Sequence, residues 1–358
     1  MVMQNYESKA MLEKHIQKYE LEITANCNAE CPLCARTEMG MKLRGNNELT
    51  FENIKQIFPT RESCDNKEFK LCGVLGDPIL NNECFEIAEY ISNFGGRINL
   101  STNGGYQNAE WWAKLAKLEN LYVDFSVDGF KDTNHIYRVN VNWSTLERNM
   151  RAYMGAGGKA NWVFIPFDHN EDDYEDAKSL ANELGMRFIR RTSGRNEFNK
   201  NKKHKPRKPL VVKDEKQKSV TVVEEVKLNN SKKLPHNDLQ KLKEIYTSKD
   251  PKVVDDIVHT LSCQHYEEPE CFVAADMTLW PCCFLYGDSI HMYEQITQTN
   301  DRDFNDLNKH SISDILQTEF YKSLKSRWYA SHPKHLRKCI RACGLKGIYK
   351  NKKVEDKN

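Results

Sequence analysis

Along the first two hundred residues, short β-rich runs and stretches with apolar residues at helical spacing follow one another in strict order. The runs Glu20 to Ala25, Lys70 to Leu75, Arg97 to Ser101, Leu121 to Ser126, Asn161 to Ile165 and Met186 to Arg190 read as strands. Between them, Phe51 to Phe58, Glu83 to Phe94, Ala109 to Leu118, Ser144 to Met154 and Asp172 to Leu184 read as amphipathic helices, the last closed by Gly185. Strands alternating with helices of about 10–15 residues imply crossover connections and a parallel sheet, and six such units make part of a barrel that needs eight to close. The pairs Asn103-Gly104 and Asp128-Gly129 fall just after the third and fourth strands. In parallel α/β folds that end of the sheet is where ligands bind.

The pattern breaks after residue 194. From Arg195 to Lys233 there are thirteen Lys or Arg against five Asp or Glu, with prolines at 206 and 209. Such a segment buries too little apolar surface to offset its ordering entropy, so 195–235 is expected to be a basic linker or insertion. Its excess of positive charge could also attract a nucleic acid. Beyond it the spacing predicts a helix near Leu239 to Thr247, a hairpin over Phe272 to Pro281 with Asp276-Met277 at its tip, and a helical stretch over Ile312 to Trp328. The domain reading is therefore an N-terminal extension (1–18), a partial (β/α)6 barrel (19–194), the basic segment, and a small cysteine-rich α+β domain (236–358).

Composition narrows the setting. The 358 residues carry 53 basic and 51 acidic side chains, a net charge of +2, which gives no general argument for binding polyanions or membranes, although neutrality over a whole chain can conceal a local patch. No apolar run approaches the ~20 residues that span a bilayer, and the start, MVMQNYESKAMLEKH, lacks the apolar centre of a signal peptide. A cytoplasmic location with no membrane partner is expected. In that reducing setting twelve cysteines point to metal or catalysis rather than to disulfides.

Cys27, Cys31 and Cys34 form a CxxxCxxC triplet in the loop after the first strand. A structural zinc site normally takes four protein ligands. A 4Fe-4S cluster held by three thiolates leaves one iron open to a small molecule. Here the sequence resembles the radical S-adenosylmethionine (SAM) enzymes, and the resemblance covers about residues 19 to 195. In that family the open iron binds SAM, whose reductive cleavage gives a 5'-deoxyadenosyl radical that abstracts hydrogen from a substrate. Gly76-Asp77-Pro78 is similar to the family's Gly-Glu-Pro segment, whose backbone receives the SAM amino group. Ser101-Thr102-Asn103-Gly104 corresponds to its Thr-Asn-Gly turn, and Ser126 with Asp128-Gly129 to a segment near the SAM ribose and methionine. Arg138 stands where similar proteins carry an arginine near the SAM carboxylate. The aromatic residue usual before the last cysteine is here Leu33.

A second group comprises Cys263, Cys271, Cys282, Cys283, Cys339 and Cys343. It resembles the C-terminal SPASM or twitch modules of radical SAM enzymes, with Met277 in place of a glycine and without the full CxxCx5CxxxC run. A turn of a different type is expected there, because a side chain opposes positive φ. The resemblance implies one auxiliary 4Fe-4S cluster on Cys263, Cys282, Cys339 and Cys343, with Cys271 or Cys283 as substitutes. Tetrahedral sulfur ligation serves zinc as well. Cys64, Cys72 and Cys84 match no ligand spacing and read as packing residues.

The implied activity is hydrogen abstraction from a peptide or protein side chain, fed by an electron donor such as flavodoxin or ferredoxin. Nucleic-acid modification steered by 195–233, small-molecule dehydrogenation, and a zinc- or cluster-binding adaptor are the alternatives. Tyr122, Asp124 and His169 are polar groups expected to face the barrel interior. No residue announces the substrate.

Overall fold

The computed structural model describes residues 13–38, 47–191, 248, 250–255, 258, 261 and 263–344. Strands β1 (Lys18–Leu21), β2 (Glu68–Leu71), β3 (Arg97–Thr102), β4 (Leu121–Ser126), β5 (Ala160–Phe164) and β6 (Arg187–Arg190) pair in parallel, each with its sequence neighbour. Crossover helices α1 (Phe51–Ile57), α2 (Cys84–Asn93), α3 (Ala109–Leu115), α4 (Trp143–Gly155) and α5 (Tyr174–Glu183) link them. This is the expected partial (β/α)6 barrel. The first two strands begin and end earlier than the β-rich runs suggest, because residues 22–25 and 72–75 leave the ladder to build loops.

Local chemistry starts these helices where they start. At α1 the Asn53 N–H donates to the Thr50 hydroxyl (3.1 Å) while the Thr50 N–H donates to the Asn53 amide oxygen (2.9 Å), a reciprocal cap. Asn108 and Asn142 cap α3 and α4 through their side-chain oxygens.

The sheet has two different faces. On one, the register aligns Leu21, Leu71, Leu100 and Val123, with Tyr19, Phe69, Ile98 and Leu121 beside them, all buried. Burying each such side chain contributes about 1.5–3 kcal/mol, so this face is what closes the helices onto the sheet. The opposite face aligns Glu20, Lys70, Asn99 and Tyr122, then Ser101, Asp124, Asn161 and Arg187. A parallel sheet is usually apolar on both faces. Here the inner face is polar from β1 to β6, which suits a cavity better than a packed core.

After the barrel the chain returns to the same sheet. β7 (Glu270–Val273) pairs in parallel with β1, and β8 (Leu279–Trp280) turns back antiparallel to it, giving the order β6-β5-β4-β3-β2-β1-β7-β8. The turn between them differs from expectation: Met277 holds φ +66°, the conformation that the missing glycine would have supplied. Its side chain is buried, and that burial offsets the roughly 1–2 kcal/mol cost of a left-handed non-glycine residue. Helices α6 (Cys283–Thr297), α7 (Ile312–Leu316) and α8 (Glu319–Ser323) follow. Buried Arg327 ties this region together by donating to the Lys334 (2.8 Å) and Ile296 (2.7 Å) carbonyls. The basic segment 195–233 and the helix expected at Leu239 to Thr247 lie outside the described residues. Among the described residues no helix is long and apolar enough to cross a membrane.

Candidate functional site

All six barrel strands run the same way, so the segments after them meet at one end. Residues 22–34 follow β1, 72–78 follow β2, 103–105 follow β3, 127–129 follow β4 and 165–170 follow β5. The triplet Cys27, Cys31 and Cys34 therefore sits at the carboxyl end of the sheet, where a ligand is expected.

The first loop is held by the others through specific contacts. The Asp77 N–H donates to the Asn26 carbonyl (2.8 Å), stitching the second loop to the first. Gly76 makes that approach feasible: a Cβ there would stand 1.8 Å from the Thr24 carbonyl oxygen. Asp77 is buried and accepts from the Asn103 N–H (2.7 Å), while Pro78 opens a short 3-10 turn behind it. Burial pushes the Asp77 carboxyl up, and the hydrogen bonds pull it back. Asn103 donates from Nδ2 to the Asn28 side-chain oxygen (2.9 Å) and to Cys27 Sγ (3.8 Å), and its own Oδ1 accepts from the Gly105 N–H (2.8 Å). The Thr102 hydroxyl accepts from the Gly104 N–H (3.0 Å). Gly104 at φ +67° keeps that turn tight against Phe125 and Leu146.

A second brace comes from beyond β4. Asp128 is fully buried, accepts from Arg138 Nε (2.8 Å) and Nη2 (2.6 Å), and takes the Ile165 N–H on its other oxygen (2.7 Å). Burial pushes the Asp128 carboxyl up against the pull of the guanidinium. The remaining Arg138 nitrogen, Nη1, reaches Cys31 Sγ (3.8 Å). The fork of Arg138 is thus spent on Asp128, and its free edge faces a thiol. Ser126 closes β4, half-buried.

The thiols have ligand chemistry. Burial pushes Cys27 up to about 12 and also raises Cys31, the latter despite Arg138. Each lies near enough to the other and to Cys34 for like charges to disfavour ionisation. Such thiols stay protonated until a cation takes the proton's place, so loading must release protons. Among the described residues, no three His, Cys, Asp or Glu side chains are grouped to hold a single metal ion. Thiolates on a four-iron cluster contact different irons. Three thiols, one cationic neighbour and an amide donor on sulfur fit a 4Fe-4S cluster with an open iron.

Two residues that matter here carry no sequence signal. Arg36, buried two positions after Cys34, donates from Nη1 to the Ala25 carbonyl (2.6 Å) and bridges to that of Leu75 (3.4 Å). Glu22, fully buried, accepts from the Leu75 N–H (2.6 Å), and its other oxygen has no partner among the described residues. Burial pushes the Glu22 carboxyl up to about 7. Asp124 takes Asn161 Nδ2 (2.6 Å) and faces Arg191 (3.5 Å), Tyr122 is exposed on the polar face, and the His169 ring stacks on Phe167.

The second cysteine group divides cleanly. Cys263, Cys282, Cys339 and Cys343 line one cavity, walled otherwise by apolar and aromatic groups such as Tyr266, Leu285, Leu324 and Trp328, with Lys338 at its side. Cys271 and Cys283 do not line it. Cys271 is fully buried on β7, in register with Tyr19 on the apolar face. Cys283 lies against Glu20 on the polar face. Four thiols around one cavity fit a fully protein-ligated cluster or a zinc ion equally well in donor type. Of the cysteines read as packing residues, Cys64 and Cys84 are buried in the apolar core. Cys72 is not: its thiol donates to Glu20 Oε1 (2.8 Å), which also takes Lys70 Nζ (3.2 Å). Alternation places Cys72 on the polar face, where a packing cysteine has no apolar neighbours to join.

The sequence model of the Radical SAM superfamily matches residues 21–184. Two curated proteins of Methanosarcina barkeri are similar over shorter stretches. Fe-coproporphyrin III synthase is 29% identical over 116 residues, 32% of this chain and 28% of its own length. AdoMet-dependent heme synthase is 31% identical over 114 residues, 32% of each chain. The chain thus spans about a third of the length of the curated relatives it matches. Among solved structures, Streptococcus suis SuiB bound to S-adenosylmethionine superposes with a TM-score of 0.55 at 14% identity, over 95% of this chain and 74% of that one. The protein anSMEcpe with bound AdoMet gives 0.51 at 14% identity, over 92% and 87%. At such identities these likenesses speak for the fold, which is the radical SAM partial barrel. The family uses a 4Fe-4S cluster and SAM, and residues 21–184 of this chain form a radical SAM domain.

Proposed function

We propose that the protein is a radical SAM enzyme acting on a peptide or protein side chain, with its SAM cluster on Cys27, Cys31 and Cys34. The observation that carries this is the convergence of three strand ends, those of β2, β3 and β4, on the cysteine loop after β1, with Asn103 on Cys27 and Arg138 on Cys31. When bound, the cluster supplies the electron that splits SAM into methionine and a radical able to take hydrogen from carbon. The chain's own residues position that chemistry. Gly76 lets the 73–78 loop lie against the cysteine loop, presenting its backbone to the SAM amino group. Asp77, Thr102 and Asn103 fix the neighbouring turn, while Ser126, Asp128 and Arg138 border the site from β4. Arg138 places positive charge beside Cys31, where it favours the thiolate and attracts a carboxylate.

Cys263, Cys282, Cys339 and Cys343 hold an auxiliary 4Fe-4S cluster in this reading. The peptide preference rests on likeness over most of the chain to SuiB, one structure of which holds its precursor peptide, SuiA. The likeness to the two Methanosarcina barkeri synthases is confined to a third of the chain and does not reach that far. A flavodoxin or ferredoxin is the electron donor. Domain limits at about 19–194 and 236–358 follow the same division between the two cysteine groups.

Anaerobic reconstitution tests the proposal. It should give about eight irons with matching sulfide, and 5'-deoxyadenosine on adding dithionite and SAM. Cys31→Ala should lose about half the iron and all the cleavage. A protein that loads zinc instead, or a variant that still cleaves SAM, would refute it.

A further inference from the structure

A second cavity, of about 280 Å3 and with no cysteine in its lining, lies in the C-terminal region. Asp276 and Thr278 reach it from the β7–β8 turn, and Trp280 from β8. Helix α6 contributes Tyr286, Ser289, Ile290 and Tyr293, a stripe at helical spacing, and the loop after α6 adds Arg302 and Asp306. Because β7 runs parallel to β1, the turn that carries Asp276 projects from the same end of the sheet as the cysteine loop. The two are electrostatically in touch, since the charge of Asp276 bears on Glu22 at the end of β1.

The lining has a definite chemistry. Trp280 is flanked by Tyr286 and Tyr293, each with ring centroids 6.2 Å away, so aromatic surface forms the inner wall. All three are buried, fixed panels rather than mobile side chains. That wall already accepts a cation: the Arg302 guanidinium lies 3.9 Å above the Tyr293 ring. Two carboxylates share the lining with one guanidinium, and the Asp276 carboxyl is raised by desolvation and by the nearby charge of Asp306. One oxygen of Asp276 is used by Thr278 (2.5 Å to its hydroxyl), and one of Asp306 by Asn308 (2.9 Å). Asp276 is exposed and Asp306 half-buried, so both carboxylates remain within reach of a ligand from solvent. Asp276, Asp301, Asp303 and Asp306 outnumber Arg302 and Lys309 around these aromatic panels, an acidic excess that favours a cation, and the volume suits one side chain rather than a whole cofactor.

We propose that this cavity is a subsite for a lysine or arginine side chain of the peptide substrate. The proposal rests on the peptide reading above and gives that reading a recognition element, placed beside the catalytic end of the barrel. Arg302 occupies part of the aromatic wall and is exposed, so it can swing aside when a substrate cation enters.

The test is ligand-observed NMR titration of the full chain with Nα-acetyl-arginine amide and Nα-acetyl-lysine amide. Nα-acetyl-norleucine amide and Nα-acetyl-aspartate amide serve as neutral and anionic controls. The cationic probes should bind about tenfold more tightly than norleucine amide. Raising salt from about 0.05 M to about 0.5 M should weaken them and leave the neutral probe unmoved. The double variant Asp276→Asn with Asp306→Asn should abolish the preference, and Arg302→Gln should bind the cations at least as tightly as wild type. Equal binding of cationic and neutral probes would overturn the subsite. So would a folded double variant that keeps the preference, or binding of aspartate amide that Arg302→Gln removes. The wild-type salt series decides the matter even if the double variant fails to fold. Absence of SAM cleavage with intact cation preference would count against the proposed reaction and leave the subsite standing. Cleavage without the preference would overturn the subsite alone.

Discussion

Glu22 shows how a single buried group sets a pH response. Its carboxyl keeps a proton in the folded chain up to a pH of about 7, against an ordinary value of 4.5. Between those limits the folded state binds more protons than the unfolded one, so stability falls as pH rises and the full penalty is present above 7. Glu22→Gln keeps the acceptor for the Leu75 N–H and removes the charge. It should flatten the profile and be more stable than wild type at pH 8 by about 2–3 kcal/mol, with little difference near pH 4. Urea midpoints at the two pH values would show it, and parallel profiles would contradict it. Asp128 has the opposite logic, since removing its charge strands Arg138. Asp128→Asn should cost about 3 kcal/mol in thermal or urea unfolding of the apo protein. A loss under about 1 kcal/mol would mean solvent already compensates the guanidinium.

At the scale of elements, the site depends on helices that touch no ligand. Asn149 on α4 is fully buried and donates to the carbonyls of Gly104 and Tyr106, both at 2.8 Å. It thereby holds the turn that carries Asn103 over Cys27. Asn149→Ala leaves the Gly104 carbonyl unpaired, while that of Tyr106 keeps the Trp112 Nε1 donor, and should lower stability by about 1–2 kcal/mol. It should also slow SAM cleavage without reducing iron content, because the cysteines are untouched. Equal losses of iron and cleavage would place its effect on the cluster loop instead. The strand-end motifs were legible because each is short and contiguous. Arg36 and Glu22 were not, because their partners, Leu75 and Ala25 among them, are distant in sequence or hidden in backbone atoms.

For the whole molecule, the return of the chain onto β1 is what joins the two cysteine groups. β7 and β8 extend the barrel sheet, so the cavity of Cys263, Cys282, Cys339 and Cys343 and the loop of Cys27, Cys31 and Cys34 share one framework. The sites remain chemically separate. Cys339→Ser should lose about half the iron yet still form 5'-deoxyadenosine, uncoupled from substrate turnover. Loss of SAM cleavage in that variant would show that the second group supports the first site structurally. Anaerobic iron analysis and product chromatography measure both.

The sequence by itself determined the β-then-α order, the strand ends at which chemistry is found, the CxxxCxxC loop and the two cysteine groups, since periodicity and contiguous spacing are local properties. Tertiary structure alone decided the rest. Which four of six late cysteines line one cavity depends on the opposite facing of Cys271 and Cys283 about β7 and α6. That Cys72 bonds Glu20 rather than packing depends on strand register. That Met277 keeps a glycine's conformation depends on the pocket that buries its side chain. Each turns on neighbours distant along the chain, and for those neighbours the linear pattern holds no distance.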